Sequence, residues 1–282
     1  MTEHLILNDG HSLPEIGFGT YPLRGDDGYR AIRSALDAGY RLIDSARNYR
    51  NEEEVGRAIR DFLKESGTPR AEVMVQTKIP GRHHEHDAAI ASGRESLAMM
   101  GLDYIDVLLI HWPNPITGKY LEAWRALVEL REQGVARTIG TSNFTAGHLA
   151  AIIDDSGVTP AINQIELHPY FLNEEVRAYG EEHGIATEAW SPIAQGAVLD
   201  DPVVTRVAGR LDRTPAQVVL RWHVQRGSIV FPKSVTAERI RENIALFDFE
   251  LGPQDMDIID GLDRGESGRT GPNPDRFAYI PA

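Results

Sequence analysis

The sequence predicts an α/β fold, and specifically a (β/α)8 TIM barrel with an N-terminal β-hairpin. Strand-like and helix-like segments alternate through about eight units, which is typical of such barrels. No composition shift and no Pro/Ser-rich linker divides the 282 residues, so we expect a single domain spanning residues 1–282. A doubly wound open sheet would show the same alternation and is the alternative fold.

The hairpin is predicted at the start of the chain, where short apolar runs flank Asn8, Asp9 and Gly10 in "HLILNDGHSLPEIGFGTY". Asp-Gly between such runs is a strong signal for a tight turn between antiparallel strands. The segment "PEIGFGT" then supplies the first barrel strand. Its "IGFG" is not a Rossmann motif, because the third glycine and the following acidic residue are missing.

Short apolar runs that end in polar residues predict the other seven barrel strands. They are "RLID", "EVMVQTK", "YIDVLLIHW", "ARTIGTSN", "AINQIEL", "IATEAWS" and "SIVFPKS". Apolar residues at helical spacing predict the helices between and after them. They are "DGYRAIRSALDAGY", "NEEEVGRAIRDFLKESG", "DAAIASGRESLAMMG", "YLEAWRALVELREQG", "TAGHLAAIIDDSG", "NEEVRAYGEEHG", "TPAQVVLRWHVQRG" and "TAERIRENIALF". Glutamates in the first turn of the second helix, and Thr214 followed by Pro215 in the seventh, favour helix starts there.

Composition excludes several classes of function. The net charge is 29 − 42 = −13, which argues against a nucleic-acid or anionic-membrane surface but leaves room for a local basic pocket. There are no cysteines, so disulfides and thiolate metal sites are excluded. No signal segment and no run of about 18 apolar residues is present. We therefore expect a monomeric, cytoplasmic protein without membrane or nucleic-acid partners.

The histidine-rich segment "HHEH" (residues 83–86) is the one candidate for a metal site. Two of its members are adjacent, and no partner at ligand spacing follows. We therefore interpret it as a solvated loop before a helix and expect no bound metal.

Polar residues stand at or directly after six of the predicted strand ends. They are Asp44, Lys78, His111, Ser142 with Asn143, Gln164 and Lys233. In a (β/α)8 barrel the carboxyl ends of the strands ring one mouth, where catalytic groups are found. Any one of these residues alone is readily explained as a solvated strand end. Six on one face favour a functional site.

The residue types at this mouth suggest carbonyl chemistry. A carboxylate following a buried strand needs a partner, and Asp44 and Lys78 come from neighbouring strands, so we expect them to pair. The Lys78 ammonium should lower the pKa of Tyr49 from about 10. Tyr49 could then donate a proton to a carbonyl oxygen that His111 orients. No nucleophile is needed if a cofactor supplies hydride.

Seven segments resemble the aldo-keto reductase family, and in particular its short bacterial 2,5-diketo-gluconate reductase type. They are "GYRLIDSARNYRNEEEVGRAI", "VQTKIPG", "DVLLIHWP", "GTSNF", "INQIELHPY", "AWSPIAQG" and "FPKSVTAERIRENIALFDFEL", in the family's order and over nearly the whole chain. The resemblance implies NADPH-dependent reduction of small aldehydes and ketones to alcohols. The alternative is a non-catalytic nicotinamide-binding regulatory module on the same fold.

The resemblance also implies roles for individual residues. The catalytic tetrad would be Asp44, Tyr49, Lys78 and His111. Cofactor contacts would be Gly19, Thr20, Asp44, Ser142, Asn143, Gln164, Trp190, Ser191, Lys233, Ser234, Val235, Thr236, Arg239, Glu242 and Asn243. Of these, Ser142, Asn143 and Gln164 would hold the nicotinamide carboxamide, and Gly19 and Thr20 would line that end. Trp190 would stack on the nicotinamide ring, unless it is only a core aromatic residue.

The loop "PKSVTAER" after the eighth strand is the expected phosphate site. Lys233, Ser234, Thr236 and Arg239 bring two cations and two hydroxyls to a helix N-terminus, which itself attracts anions. Loops in this position often bind phosphate in (β/α)8 barrels. A solvated Lys and Arg with a Thr cap is the alternative. The resemblance favours the 2′-phosphate of NADPH, with Glu242 and Asn243 on the adenine side.

Substrate residues are expected at Tyr21, Tyr49, His111 and Trp112. Two departures from the family pattern concern the pocket. Pro80 stands where the family often has Trp, and the chain stops at "PDRFAYIPA" without a long substrate-covering tail. We therefore expect an open pocket that admits small dicarbonyls, keto-sugars and aldoses as well as aromatic aldehydes.

Overall fold

Eight parallel strands form the centre of the protein in a computed structural model that describes residues 3–277. A separate antiparallel hairpin of β1 (His4–Ile6) and β2 (Ser12–Pro14) precedes them. The barrel strands are β3 (Phe18–Gly19), β4 (Leu42–Asp44), β5 (Met74–Ile79), β6 (Ile105–Ile110), β7 (Ala136–Ser142), β8 (Ile162–Glu166), β9 (Ala186–Trp190) and β10 (Ile229–Val230). Each pairs with its neighbour in chain order.

Helices cover the outside of the sheet. They are α1 (Gly25–Asp37), α2 (Glu52–Ser66), α3 (His86–Met100), α4 (Tyr120–Glu132), α5 (Ala146–Ser156), α6 (Glu174–Glu182), α7 (Pro202–Leu211), α8 (Pro215–Gln225), α9 (Ala237–Ile244) and α10 (Pro253–Asp260). Except for α7 and α10, their apolar faces pack on the outward side chains of the strands in one large core, which includes Ile32, Ile59, Leu108 and Trp124.

The sheet closes on itself, which excludes the open doubly wound alternative. Val230 forms a parallel bridge with Ile16, and Gly17 N donates to Val230 O at 2.8 Å. The seam needs a glycine, because a Cβ at Gly17 would lie 2.4 Å from Phe231 Cε1. The prediction of a (β/α)8 barrel with an N-terminal hairpin is confirmed. That residues 1–282 form one domain stays a prediction.

The barrel interior is apolar at the amino ends of the strands and polar at the carboxyl ends. Leu7 and Leu13 flank the hairpin turn and pack on a buried cluster that includes Leu42, Val107 and Ile229. Because side chains alternate along a strand, the residue two positions after Leu42 on the same face is Asp44. The hairpin therefore covers one end of the barrel and leaves the polar end for a site.

Two helices were not predicted from the sequence. In α7, the Asp201 side chain accepts a hydrogen bond from Val203 N at 2.8 Å and Pro202 occupies the first turn. The short helix α10 packs against α7 in a second apolar cluster. The predicted start of α8 is confirmed, since Thr214 caps Gln217 N at 3.3 Å.

Candidate active site

A cavity of about 870 Å³ opens at the polar end of the barrel. The sequence-predicted residues that line it are Tyr21, Asp44, Tyr49, His111, Trp112, Ser142, Asn143, Gln164, Trp190, Ser191, Lys233 and Asn243. Of the other predicted residues, Lys78 lies directly beneath the lining, bonded to Asp44. Strand ends far apart in sequence thus meet at one mouth, as the barrel topology requires.

Asp44 and Lys78 form a buried ion pair. Lys78 Nζ donates to Asp44 Oδ1 at 2.5 Å and to Ser45 O at 2.9 Å. Burial acts against the charged ammonium, but the neighbouring Asp44 and Tyr49 outweigh it and raise the pKa of Lys78. Lys78 is therefore a permanent cation at neutral pH, as the sequence predicted.

Tyr49 comes from the 3-10 turn after β4 and stands next to this cation. Lys78 Nζ lies 5.2 Å from the Tyr49 ring centroid. The predicted lowering of the Tyr49 pKa is wrong in the structure. Burial raises the pKa of Tyr49 to about 12, and the charge of Lys78 offsets only part of that effect. Desolvation penalises the phenolate more than the nearby ammonium favours it.

His111 completes the group as a neutral imidazole. Its ring lies edge-on to Tyr49, with centroids 5.6 Å apart. Burial, assisted by the positive charge of Lys78, holds the pKa of His111 well below its usual value. A neutral imidazole has one N–H donor and one acceptor nitrogen, so His111 can donate a hydrogen bond to an oxygen in the cavity.

The residues assigned to the carboxamide form one hydrogen-bonded group on the opposite wall. Trp190 Nε1 donates to Asn143 Oδ1 at 2.8 Å, and Asn143 Nδ2 donates to His111 O at 3.0 Å. Ser142 Oγ donates to Gln164 O at 3.0 Å. Trp190 is half-buried and faces the cavity, so it is not only a core residue.

Gly19 and Thr20 are not among the described residues that line the cavity. Gly19 pairs with Asp44 in the sheet, and Thr20 Oγ1 donates to Asp44 O at 2.8 Å. Gly19 and Thr20 thus contact the backbone of Asp44. The sequence predicted instead that they line the part of the site that holds the nicotinamide.

The predicted phosphate loop is exposed and cationic. Lys233 and Arg239 are exposed, and neither has an ion-pair partner within 4.0 Å among residues 3–277. Ser234 Oγ accepts from Thr236 N at 3.0 Å, and Val235 is exposed at the loop tip. Glu242 is half-buried on α9 next to Asn243, which reaches the cavity. Lys233 also lines it, so the loop and the mouth share one continuous space.

Aromatic side chains form part of the cavity wall, and one of them, Phe277, was not predicted from the sequence. Tyr21 packs on Tyr49 at 5.0 Å between centroids, and Trp112 packs on Phe277 at 4.5 Å. Pro80 is buried and is not among the described lining residues. Residues 278–282 of the "PDRFAYIPA" segment lie outside the described residues. Phe277 of the same segment lines the cavity, so the mouth is narrower than the sequence predicted.

Phe277 belongs to a C-terminal segment that crosses the mouth. Buried Glu166 fixes this segment by accepting hydrogen bonds from Thr270 N at 2.5 Å, Thr270 Oγ1 at 2.6 Å and Gly271 N at 2.9 Å. A Cβ at Gly271 would lie 2.5 Å from Trp190. Glycine is therefore required where the segment passes the Trp190 ring.

Gln76 and Glu188 are two further polar residues of the barrel interior that were not predicted from the sequence. Gln76 Nε2 donates to Asp44 Oδ1 at 2.8 Å and to Glu188 Oε2 at 2.7 Å. Gln164 Nε2 donates to Glu188 Oε2 at 2.9 Å. Their signal in the sequence was a polar residue two positions from a site residue on the same strand: Gln76 before Lys78, and Glu188 before Trp190.

The histidine-rich segment needs a correction. His84 is buried, and burial lowers its pKa to about 4, so the predicted solvated loop is wrong at this residue. Within residues 3–277, no group of three or more His, Cys, Asp or Glu side chains is placed to hold a metal ion. In the same range, no helix has the length and apolar character needed to cross a membrane.

A (β/α)8 barrel whose mouth joins a buried Lys–Asp pair, a tyrosine and a neutral histidine to a long cavity has the architecture of a carbonyl oxidoreductase. The chain belongs to the aldo/keto reductase family, whose sequence model matches residues 15–264. It is thus an oxidoreductase that acts on carbonyl groups, and the predicted resemblance is confirmed.

The chain is similar to individual members of the family over most of its length. The chain is 51% identical over 262 residues to "2,5-diketo-D-gluconic acid reductase B" of a Corynebacterium species, which covers 93% of each chain. It is 46% identical over 279 residues to an aldo-keto reductase of Mycolicibacterium smegmatis, covering 99% of each. A crystal structure of a Gox0644 mutant in complex with NADPH superposes with a TM-score of 0.94 at 39% identity, covering 99% of this chain and 100% of the other.

Proposed function

We propose that this protein reduces small aldehydes and ketones to alcohols, with NADPH as hydride donor and Tyr49 as proton donor. One observation carries the proposal. The cluster of Asp44, Lys78, Tyr49 and His111 borders a cavity that continues to the exposed cation Lys233. Proton-donating groups and an anion-binding end are thereby joined by one space of about 870 Å³.

The side chains of this cavity fit the cofactor. Trp190 offers a flat ring at the wall, next to the amide and hydroxyl groups of Asn143 and Ser142. The Gln164 amide nitrogen is used by Glu188 and Asp44, which leaves its Oε1 to accept a hydrogen bond from a carboxamide. The exposed cations of the 233–239 loop suit a phosphate in an otherwise acidic protein. The relative in complex with NADPH supports this choice.

When bound, the cofactor supplies the hydride that the chain itself lacks. Tyr49 donates its proton to the carbonyl oxygen, and the adjacent Lys78 charge stabilises the phenolate that forms. Asp44 keeps Lys78 charged, and neutral His111 donates a hydrogen bond that orients the carbonyl. The raised pKa of Tyr49 keeps this proton in place across the neutral range until a substrate accepts it.

The substrate class is set by the aromatic end of the cavity. Tyr21, Trp112 and Phe277 form apolar walls, while His111 and Tyr49 provide polar contacts. Small dicarbonyls, keto-sugars and aldoses fit this mixture, and the name of the Corynebacterium relative supports a diketo acid. The cytoplasmic location and the monomeric state stay predictions.

The direct test is the consumption of NADPH by the purified protein with a panel of dicarbonyls, aldoses, keto-sugars and aromatic aldehydes. Turnover with all four classes is the expected result. Tight NADPH binding without turnover in any class would contradict the proposal and favour the non-catalytic nicotinamide-binding module.

Replacing both Lys233 and Arg239 with Ala should weaken NADPH binding by roughly ten- to several hundredfold and leave NADH binding nearly unchanged. A charge-assisted hydrogen bond contributes about 1.5–3 kcal/mol, and the exposure of both side chains reduces that figure by screening. The NADPH preference should also shrink as salt rises. Quenching of Trp fluorescence by each cofactor measures both affinities.

The matched control is Arg241→Ala, which removes an exposed cation from the same helix α9. It should leave both affinities unchanged. Equal losses of NADPH and NADH affinity in the double variant would show that this loop binds a phosphate shared by both cofactors or supports the fold.

Phe277→Ala should raise KM for aromatic aldehydes by about tenfold and leave small dicarbonyls nearly unaffected. Phe277 packs on Trp112 and supplies apolar wall that only the larger substrates reach, and apolar contacts of this size discriminate by about 10–200-fold. Steady-state kinetics with both substrate classes measure the change. Phe277→Leu should restore most of the loss, and equal losses for both classes would contradict the assignment.

A further inference from the structure

Glu188 is a fully buried carboxyl group inside the barrel that the mechanism above does not use. It lies on β9, two residues before Trp190. Its Oε2 accepts from Gln76 Nε2 at 2.7 Å and from Gln164 Nε2 at 2.9 Å. The same two amides donate to Asp44 Oδ1 at 2.8 Å and 3.4 Å. Glu188 and Asp44 therefore share both amide groups.

Two acceptor atoms in this arrangement lack a donor. Glu188 Oε1 and Gln76 Oε1 are both buried, and neither has a hydrogen-bond partner within residues 3–277. Buried polar atoms are nearly always paired, because an unpaired one loses its contact with water without compensation. The Gln76 amide nitrogen already donates to the other oxygen of this carboxyl group, Glu188 Oε2. A proton on Glu188 Oε1 would therefore stand beside the same amide and could be donated to its oxygen. It would then satisfy Gln76 Oε1 as well.

The charges around Glu188 point the same way. The charged groups that act on it are Asp44 from β4 and Lys78 from β5. Lys78 is already paired with Asp44 at 2.5 Å, so an ionised Glu188 would be a second buried anion without a cation of its own. Such a charge is costly in a protein interior. Burial, reinforced by the charge of Asp44, raises the pKa of Glu188 to about 8.

We propose that Glu188 is a positioning residue that carries a proton in the resting enzyme, bridges Gln76 and Gln164, and directs both amides onto Asp44. The layer beneath the substrate then contains one anion and one cation and has no net charge. This inference rests on the proposed role of Tyr49 as proton donor. It adds Glu188, whose protonation state affects how readily Tyr49 donates its proton.

Loss of this proton would change the catalytic layer. A negative charge on Glu188 raises the pKa of Lys78, and by the same electrostatics it makes Tyr49 a weaker acid. A change of one pKa unit in Tyr49 corresponds to about a tenfold change in its proton affinity. Reduction of carbonyl substrates should therefore slow as the pH rises through about 8.

The test is the pH profile of kcat in wild-type protein and in Glu188→Gln. Gln keeps the shape and stays neutral at every pH, and its amide can donate to Gln76 Oε1. We expect wild-type kcat to fall several-fold above pH about 8, while the variant keeps its activity there. Glu175→Gln, which neutralises an exposed carboxylate on α6, should show the wild-type profile. Coincident profiles of Glu188→Gln and wild type, or an equal loss at every pH, would overturn the proposal.

A second measurement needs no variant and no turnover. Carbon-13 NMR of wild-type protein labelled at the glutamate carboxyl carbons should show one carboxyl group that titrates near pH 8. If all the glutamate carboxyls titrate in the ordinary acidic range, the assignment of the proton fails. A carboxyl that titrates near pH 8 in a protein without carbonyl reduction would sustain the proton on Glu188 but refute the proposed function, and with it the positioning role.

Discussion

Replacing Tyr49 with Phe is expected to lower kcat for carbonyl reduction by roughly 10²–10⁴-fold, the usual contribution of a positioned general acid. The change removes the hydroxyl and keeps the ring, so the packing on Tyr21 and His111 is preserved. NADPH affinity should barely change, because the hydroxyl acts on the substrate carbonyl. Single-turnover kinetics and cofactor titration separate the two effects.

The control for this change is Tyr29→Phe. Tyr29 Oη donates to Asp61 Oδ2 at 2.8 Å between α1 and α2, on the outside of the barrel. Its loss should cost a little stability and no turnover. A Tyr49→Phe enzyme with near-normal kcat would remove Tyr49 from the mechanism and transfer the role of proton donor to another group of the cavity, such as His111.

The meeting of Asp44, Lys78 and His111 could be predicted because it follows from topology. Parallel strands in chain order bring their carboxyl ends to one rim, and each of these residues stands at or directly after a predicted strand end. The sequence therefore specified the ion pair that the structure shows at 2.5 Å. Nothing in that step depends on the details of side-chain packing.

The pKa of Tyr49 could not be predicted, because it depends on a balance of two opposing effects. The sequence revealed the cation that lowers it, Lys78, but not the degree of burial that raises it. In the structure the burial effect is larger. Burial depends on how segments distant in sequence pack around Tyr49, among them Tyr21, whose ring centroid lies 5.0 Å away, and His111 at 5.6 Å, and no local pattern indicates those contacts.

Glu188 and Gln76 were missed for a related reason. Each is a polar residue in a short strand, and in a sequence such a residue predicts the end of the strand or a solvent-exposed edge. Only closure of the barrel shows that β5 and β9 face each other across the interior and that the two side chains meet at 2.7 Å. Helix α7, by contrast, had a readable start in Asp201 and Pro202 and could have been predicted.

The largest combined effect is expected from a double-mutant cycle on Asp44 and Lys78. Asp44→Asn leaves the buried ammonium without its partner, which should cost about 3–5 kcal/mol of folding free energy. Lys78→Met removes the charge that stabilises the Tyr49 phenolate, so kcat should fall by at least roughly 10²-fold. Because Asp44 acts on the reaction through Lys78, the double variant should turn over about as slowly as Lys78→Met alone.

Stability must be measured alongside turnover to interpret the cycle, and Asp106→Asn provides the comparison. Asp106 is a buried carboxylate that accepts from Arg70 Nη2 at 2.7 Å and from Val75 N at 2.9 Å, away from the cavity. Its replacement should lower the free energy of unfolding and leave kcat unchanged. If the losses of kcat in Asp44→Asn and Lys78→Met simply add, the two residues act independently and the ion pair has no part in proton donation. If Asp106→Asn lowers kcat as much as Asp44→Asn does, the loss in both reflects a weakened barrel and not the charge of Lys78.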